Sequence, residues 1–157
     1  MVYDQEIPYT SEDNVNYLIR FSAFPADKLP EGINLPVVDI VIETDADFKV
    51  ISNSRASLSK MVNIILDYAD KNNVVLYCYC SDKAIKKSKN NEEQTNQQFR
   101  SNLFSAMFKM NKSEKFLNKV VVIHDLNAGH HYLHLITKVE NKHVIDEISI
   151  QLSKLDK

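Results

Sequence analysis

The stretch Leu58–Asp82, LSKMVNIILDYADKNNVVLYCYCSD, decides the fold. Its first half has the period of a helix: Leu58, Met61, Val62, Ile65, Leu66 and Ala69 recur at i, i+3, i+4, i+7, i+8 and i+11, which lines one face with apolar groups. Asn72-Asn73 ends that pattern. Val74-Val75-Leu76-Tyr77-Cys78-Tyr79-Cys80 then runs without polar alternation, as a strand does when it is covered on both faces near the centre of a sheet. A half-buried helix leading straight into a fully covered strand requires helices packed on a sheet.

The segments on either side fit that frame. Upstream, Ile7–Thr10 and Asn14–Phe24 read as strands, the second with Val15, Tyr17, Ile19 and Phe21 alternating along it. The stretch from Pro25 to Pro36 holds Pro30 and Gly32 as well and reads as a loop. Val37–Thr44 has Val38, Ile40 and Ile42 on one face and Asp39 and Glu43 on the other. Asp45-Ala46-Asp47 reads as a turn and Phe48–Ile51 as its returning hairpin strand, while Ser54 or Ser57 can cap the helix that follows.

Downstream, Asp82–Asn96 is polar and reads as an exposed loop or helix start. The spacing of Phe99, Leu103, Ala106, Met107 and Met110 predicts a second helix, whose face is broadened by Phe104 and Phe108. Lys119–His124 and His130–Lys138 read as a strand pair about the turn Leu126–Gly129. Ile145, Ile148, Leu152 and Leu155 predict a closing helix over Val144–Leu155. The expectation is an α+β (mixed α/β) domain spanning 1–157: a single twisted, largely antiparallel sheet of about six to seven strands with three helices. No 20–50-residue repeat is present, which argues against solenoids and propellers.

Composition narrows the function. The 157 residues include two glycines, Gly32 and Gly129, neither in a glycine-rich loop. Glycine lets a backbone approach a phosphate closely, and nucleotide-gripping loops need two or three within a few residues. The common modes of holding ATP, GTP, NAD or FAD are therefore disfavoured. A net charge of −2 offers no basic surplus for nucleic acid. The polar start Met1–Glu6 resembles neither a signal nor a transit peptide, and no apolar run approaches the ~20 residues of a membrane span. Cys78 and Cys80 would point to one side of a strand, a poor geometry for a structural disulfide. A soluble, reduced, cytoplasmic protein is expected.

The candidate chemical groups are few. Cys78-Tyr79-Cys80 lacks the second ligand pair that zinc requires, so buried thiols are expected there and no metal or other cofactor. All five histidines lie in the last third of the chain. His130 and His134 would share a strand face about 13 Å apart, too far to chelate one ion. A hairpin could bring His124, next to Asp125, beside His130 or His131, and such a pair could do acid/base work. Asp82 ends the central strand, and Arg100, suited to carboxylates or phosphates, could pair with it. Lys83, Lys86, Lys87 and Lys89 read as a solvated loop with weak potential for nucleic acid. No serine sits in a nucleophile elbow.

Two resemblances add to this. Leu58–Asp82, with Cys80 and Asp82 ending the strand, Arg100, Leu103, Phe104 and Phe108 on the next helix, and His131–Thr137 followed by Glu140-Asn141, resembles a family of about 150-residue Bacteroidota proteins described as a domain of unknown function. The likeness would span nearly the whole chain. Met107 stands where that family has an aromatic residue, and the loop 83–95 is longer. The strand and helix order is, separately, similar to that of acetyltransferases related to the histone-acetylating enzymes. In those, the turn before the first of these helices has a glycine-rich motif whose amides hold the coenzyme A pyrophosphate. The corresponding segment here, Asn53–Ser59, has Ser54, Arg55 and Ser57 but no glycine.

The leading expectation is a small regulatory, accessory, inhibitor or immunity-like protein without catalysis of its own. Its expected partner is another protein, with a homodimer as one form, and its contact surfaces would be segment 83–96 and the aromatic edge of the second helix, including Asp82, Arg100, Phe104 and Phe108. The alternative is an acyltransferase-like enzyme with an altered coenzyme A site at 53–59 and acid/base candidates His124, His131 and Tyr132. The third is a weak nucleic-acid binder through Lys83–Lys89.

Overall fold

A computed structural model describes residues 4–12, 14–44, 55–82, 93–111, 114–127 and 129–155. The expected strand Phe48–Ile51 and the lysines of 83–89 lie outside the described residues.

Strands β1 (Gln5–Thr10), β2 (Asn16–Ala23) and β3 (Val37–Thr44) lead into helix α1 (Arg55–Lys71) and strand β4 (Val75–Cys80). Helix α2 (Asn96–Asn111), strands β5 (Phe116–Ile123) and β6 (His131–Lys138), and helix α3 (Lys142–Ser153) follow. Among the described residues the strands form one sheet in the order β1-β2-β3-β4-β6-β5. All neighbours are antiparallel except β3 and β4, which α1 connects as a parallel pair. A parallel pair needs such a crossover, because a tight turn can join only antiparallel strands.

The core lies in two layers, one on each side of the sheet. On one side Tyr17, Ile19, Phe21, Val38, Ile40, Leu76, Cys78 and Ile136 pack against α1 and α2. Leu58, Met61, Val62, Ile65, Leu66 and Ala69 are all buried, as their helical spacing predicts, and Phe21 stacks on Tyr68 with ring centroids 4.0 Å apart. On the other side Val37, Val75, Val121, Leu133 and Leu135 pack against Val144, Ile145 and Ile148 of α3, and the segment after β2 adds Phe24, Leu29, Ile33 and Leu35. The second layer covers the centre of the sheet but leaves one face of β1 and β2 open: along β2, Tyr17, Ile19 and Phe21 are buried while their neighbours are less so.

Helix assignments are corrected at two points. Leu155 lies past the end of α3 and is exposed, because the helix stops at Ser153. In α2 the buried face is set by Phe99, Ser101, Phe104 and Met107, and Ala106 faces solvent. The polar Ser101 takes an interior position because a buried histidine meets it there, a partner that helical spacing alone does not reveal.

Candidate functional site

The parallel pair at the centre of the sheet ends early. Its ladder consists of Val37 with Val75, Val38 with Leu76 and Asp39 with Tyr77. Beyond these, β3 continues to Thr44 and β4 to Cys80 without further pairing between them. Side chains alternate along each strand, so Val41 and Tyr79 come next on the face that carries Asp39 and Tyr77. Both are exposed, as is Ile42 on the other face. The backbone edges of β3 and β4 thus part between apolar side chains.

Asp39 and Tyr77 sit at the fork. Burial raises the Asp39 carboxyl above its ordinary range. The Tyr77 phenol, in contact with the Phe24 ring, is pushed up to about 12 by burial and by the negative charge of Asp39. Among the described residues, no opposite charge offsets the loss of water at either group.

Next to the opening, Tyr79 meets the start of β6. Its hydroxyl lies 2.8 Å from Nδ1 of His131. Nε2 of the same imidazole is 3.7 Å from Oδ2 of Asp125, beyond hydrogen-bond distance, and the two form an ion pair only when the ring is protonated. Asp125 is buried, and its Oδ1 accepts the backbone N–H of Asn127. The Asp125 backbone N–H donates to Nδ1 of His130, and Gln97 donates to the His130 carbonyl. Gly129 has a φ of +87°, a left-handed turn conformation that admits glycine without strain, and Gln97 Nε2 would stand 3.2 Å from a Cβ there. The His124 and His130 rings meet edge to face at 5.0 Å. The hairpin therefore brings His124 beside His130, as the sequence suggests, and sets His131 against Tyr79.

One further histidine is wholly internal. His134 is fully buried between the Ser101 hydroxyl, 3.0 Å from Nε2, and the Asn118 carbonyl oxygen, 3.0 Å from Nδ1. Since that oxygen can only accept, Nδ1 carries the proton and Nε2 accepts from Ser101. Burial lowers the His134 pKa to about 4, so this ring is neutral at pH 7. Its hydrogen bonds tie α2 to β5 and β6.

No family model matches this chain, and no curated protein matches it.

The sequence-predicted residues divide between the interior and the opening. Cys78 and Cys80 are both buried on the α1/α2 side, and burial raises both thiols, Cys80 to about 12. Among the described residues no group of three or more histidine, cysteine or acidic side chains could hold a metal ion. Arg100 donates to the Ser81 carbonyl at 2.8 Å, and desolvation lowers its pKa while Asp82 opposes that fall. Asp82 in turn accepts through its carbonyl from Asn96.

The aromatic edge of α2 is not an exposed contact surface. Phe104 is buried with its ring 4.7 Å from that of His134, and Phe108 packs against the core. Aromatics aligned on one face of an amphipathic helix are drawn under the sheet by their own hydrophobicity. Ser57 is fully buried within α1. Ser54 lies outside the described residues, and Arg55 opens α1. Tyr132 pairs with Cys80 and lies on the face opposite Tyr79.

Histidine spacing and the Tyr132 position, from which the acid/base candidates are read, do not point to Tyr79. The Tyr77-Cys78-Tyr79-Cys80 alternation was the available signal: period two puts both phenols on one face and both thiols on the other.

Proposed function

We propose that this chain is a group-transfer enzyme of the acetyltransferase topology, holding an acyl-thioester ligand in the opening between β3 and β4. The observation that carries this reading is the ladder that stops at Asp39 and Tyr77 while both strands continue. An extended, amide-bearing arm such as that of acetyl-coenzyme A can hydrogen-bond to parted strand edges as an added strand would. Val41, Ile42 and Tyr79 supply apolar walls. The order of three strands, a helix, a strand, a helix and two strands is the feature on which the resemblance to the acetyltransferases rests. Fold likeness alone does not carry activity, so the reading rests on the opening. Of the segment that would meet the pyrophosphate, 53–59, residues 53 and 54 lie outside the described residues, and 55–59 form the start of α1, with Ser57 buried.

Thermal unfolding with acetyl-coenzyme A tests the reading. A ligand at a hundredfold over its dissociation constant adds about 2.7 kcal/mol of stability. A clear upward shift supports the proposal, and no shift at millimolar ligand ends it.

A second reading, an accessory or inhibitor-like protein with a protein partner or a second copy of itself, draws on the open face of β1 and β2. There Arg20 bridges Glu6 and Glu43 across the strands. Sedimentation of the purified chain tests its self-associating form, and a monomer at all concentrations removes that form.

A further inference from the structure

We propose that Tyr79, His131 and Asp125 form a proton relay serving the opening between β3 and β4, with the Tyr79 phenol as the catalytic group and the other two as positioning residues. The inference rests on the reading of that opening as an acyl-thioester site.

The geometry gives the relay a direction. Asp125 near Nε2 of His131 favours the tautomer with its proton on Nε2. Nδ1 is then an acceptor, and the Tyr79 hydroxyl 2.8 Å away donates to it. The phenol oxygen keeps its lone pairs for a ligand, and Tyr79 is exposed where the strands part. Tyr79 and His131 belong to β4 and β6, neighbours in the sheet, so their separation is held by paired strands. Asp125 is buried and tied to the Asn127 backbone, which fixes the charged end.

Among the described residues, the charged and titratable groups around the relay are Tyr77, Cys80 and Asp82 on or just past β4, Asp39 on β3, and His124 and His130 in the β5–β6 turn. Partial desolvation, Asp82 and Cys80 raise the Tyr79 pKa above its ordinary value.

The step balances without an outside reagent. An acceptor amine attacks the thioester carbonyl, and the carbon–nitrogen bond forms. The acceptor's proton passes to the Tyr79 oxygen as the Tyr79 proton passes to Nδ1 of His131. The resulting imidazolium is stabilised by Asp125. The carbon–sulfur bond breaks, and the proton returns from Nδ1 through Tyr79 to the departing thiolate. The products are an amide and a free thiol, and the relay returns to its starting state.

The test uses the full chain, acetyl-coenzyme A and a panel of primary amines, with thiol release as the rate and thermal shift as the binding measure. Tyr79→Phe should keep the acetyl-coenzyme A shift and lose about 100-fold in kcat, within the usual range for positioned acid/base groups. His131→Gln should keep the acetyl-coenzyme A shift and lower kcat with KM unchanged, a split that a merely structural role would not give. If wild type shows no thermal shift, the site reading fails. If it binds and releases no thiol with any amine or water, or if Tyr79→Phe turns over as wild type does, the relay fails while the site reading stands. Nitrogen NMR of the wild-type imidazole should find the proton on Nε2, and a proton on Nδ1 would also overturn the relay.

Discussion

Ser101 and His134 meet in the interior, hydroxyl to Nε2, at 3.0 Å, although 33 residues separate them along the chain. Each satisfies a polar atom that the other elements around it leave without water. Ser101→Ala would leave Nε2 buried without its donor, and an unsatisfied buried polar group costs about 1–3 kcal/mol. Urea unfolding of the variant should show that loss. An unchanged midpoint would mean that Nε2 finds another donor.

The same histidine makes stability fall with acid. Its folded pKa, about 4, lies below the ordinary 6.5. The unfolded chain therefore takes up a proton below pH 6.5 that the folded chain refuses. This contribution is fully present above 6.5 and is lost as pH falls from 6.5 through 4. The gap corresponds to about 3 kcal/mol as an order of magnitude. Urea midpoints of wild type and His134→Gln across that range should converge toward low pH, and parallel curves would contradict the assignment.

Cys78 and Cys80 should be inert in the folded protein. The thiolate is the reactive form, and burial holds both thiols well above neutral pH. A colorimetric disulfide reagent should titrate neither at pH 7 and both in urea. Labelling of the native protein at the rate of a free thiol would contradict their burial.

Phe104→Ala distinguishes a core residue from a contact residue. Removing a buried phenylalanine costs about 3–5 kcal/mol, whereas surface substitutions usually stay within about 0.5 kcal/mol. The ring packed on His134 predicts the larger loss, read from the thermal midpoint.

Tyr9 carries the opposite prediction. Its hydroxyl is buried and, among the described residues, has no hydrogen-bond partner, while its ring stacks on Tyr17. Tyr9→Phe keeps the stacking and removes the orphaned group. It should stabilise the fold by about 1 kcal/mol. A destabilised variant would mean that the hydroxyl is satisfied after all.

The local elements were legible because local rules make them. The spacing of Leu58–Ala69 foretold a helix whose buried face is those same residues. The alternation of Tyr17, Ile19 and Phe21 foretold which side of β2 is covered. Where side chains of two elements had to be matched, the sequence was silent. Nothing in the α2 pattern separates Ser101, which is buried, from Ala106, which is exposed, until His134 is set opposite the helix.

The candidate site divides in the same way. The shortage of glycine around 53–59 is a property of the chain itself, as is the period-two placing of Tyr77 and Tyr79, since both follow from single residues and their spacing. The opening and the relay belong to the tertiary structure. Strand pairing is non-local, so the point where β3 and β4 stop pairing depends on their register in the whole sheet. Tyr79 and His131, 52 residues apart, meet because β6 returns between β4 and β5. Composition and periodicity determined what each segment could be. The assembly of the sheet decided which of those segments face one another, because pair contacts across strands are set by register and topology rather than by either strand's own residues.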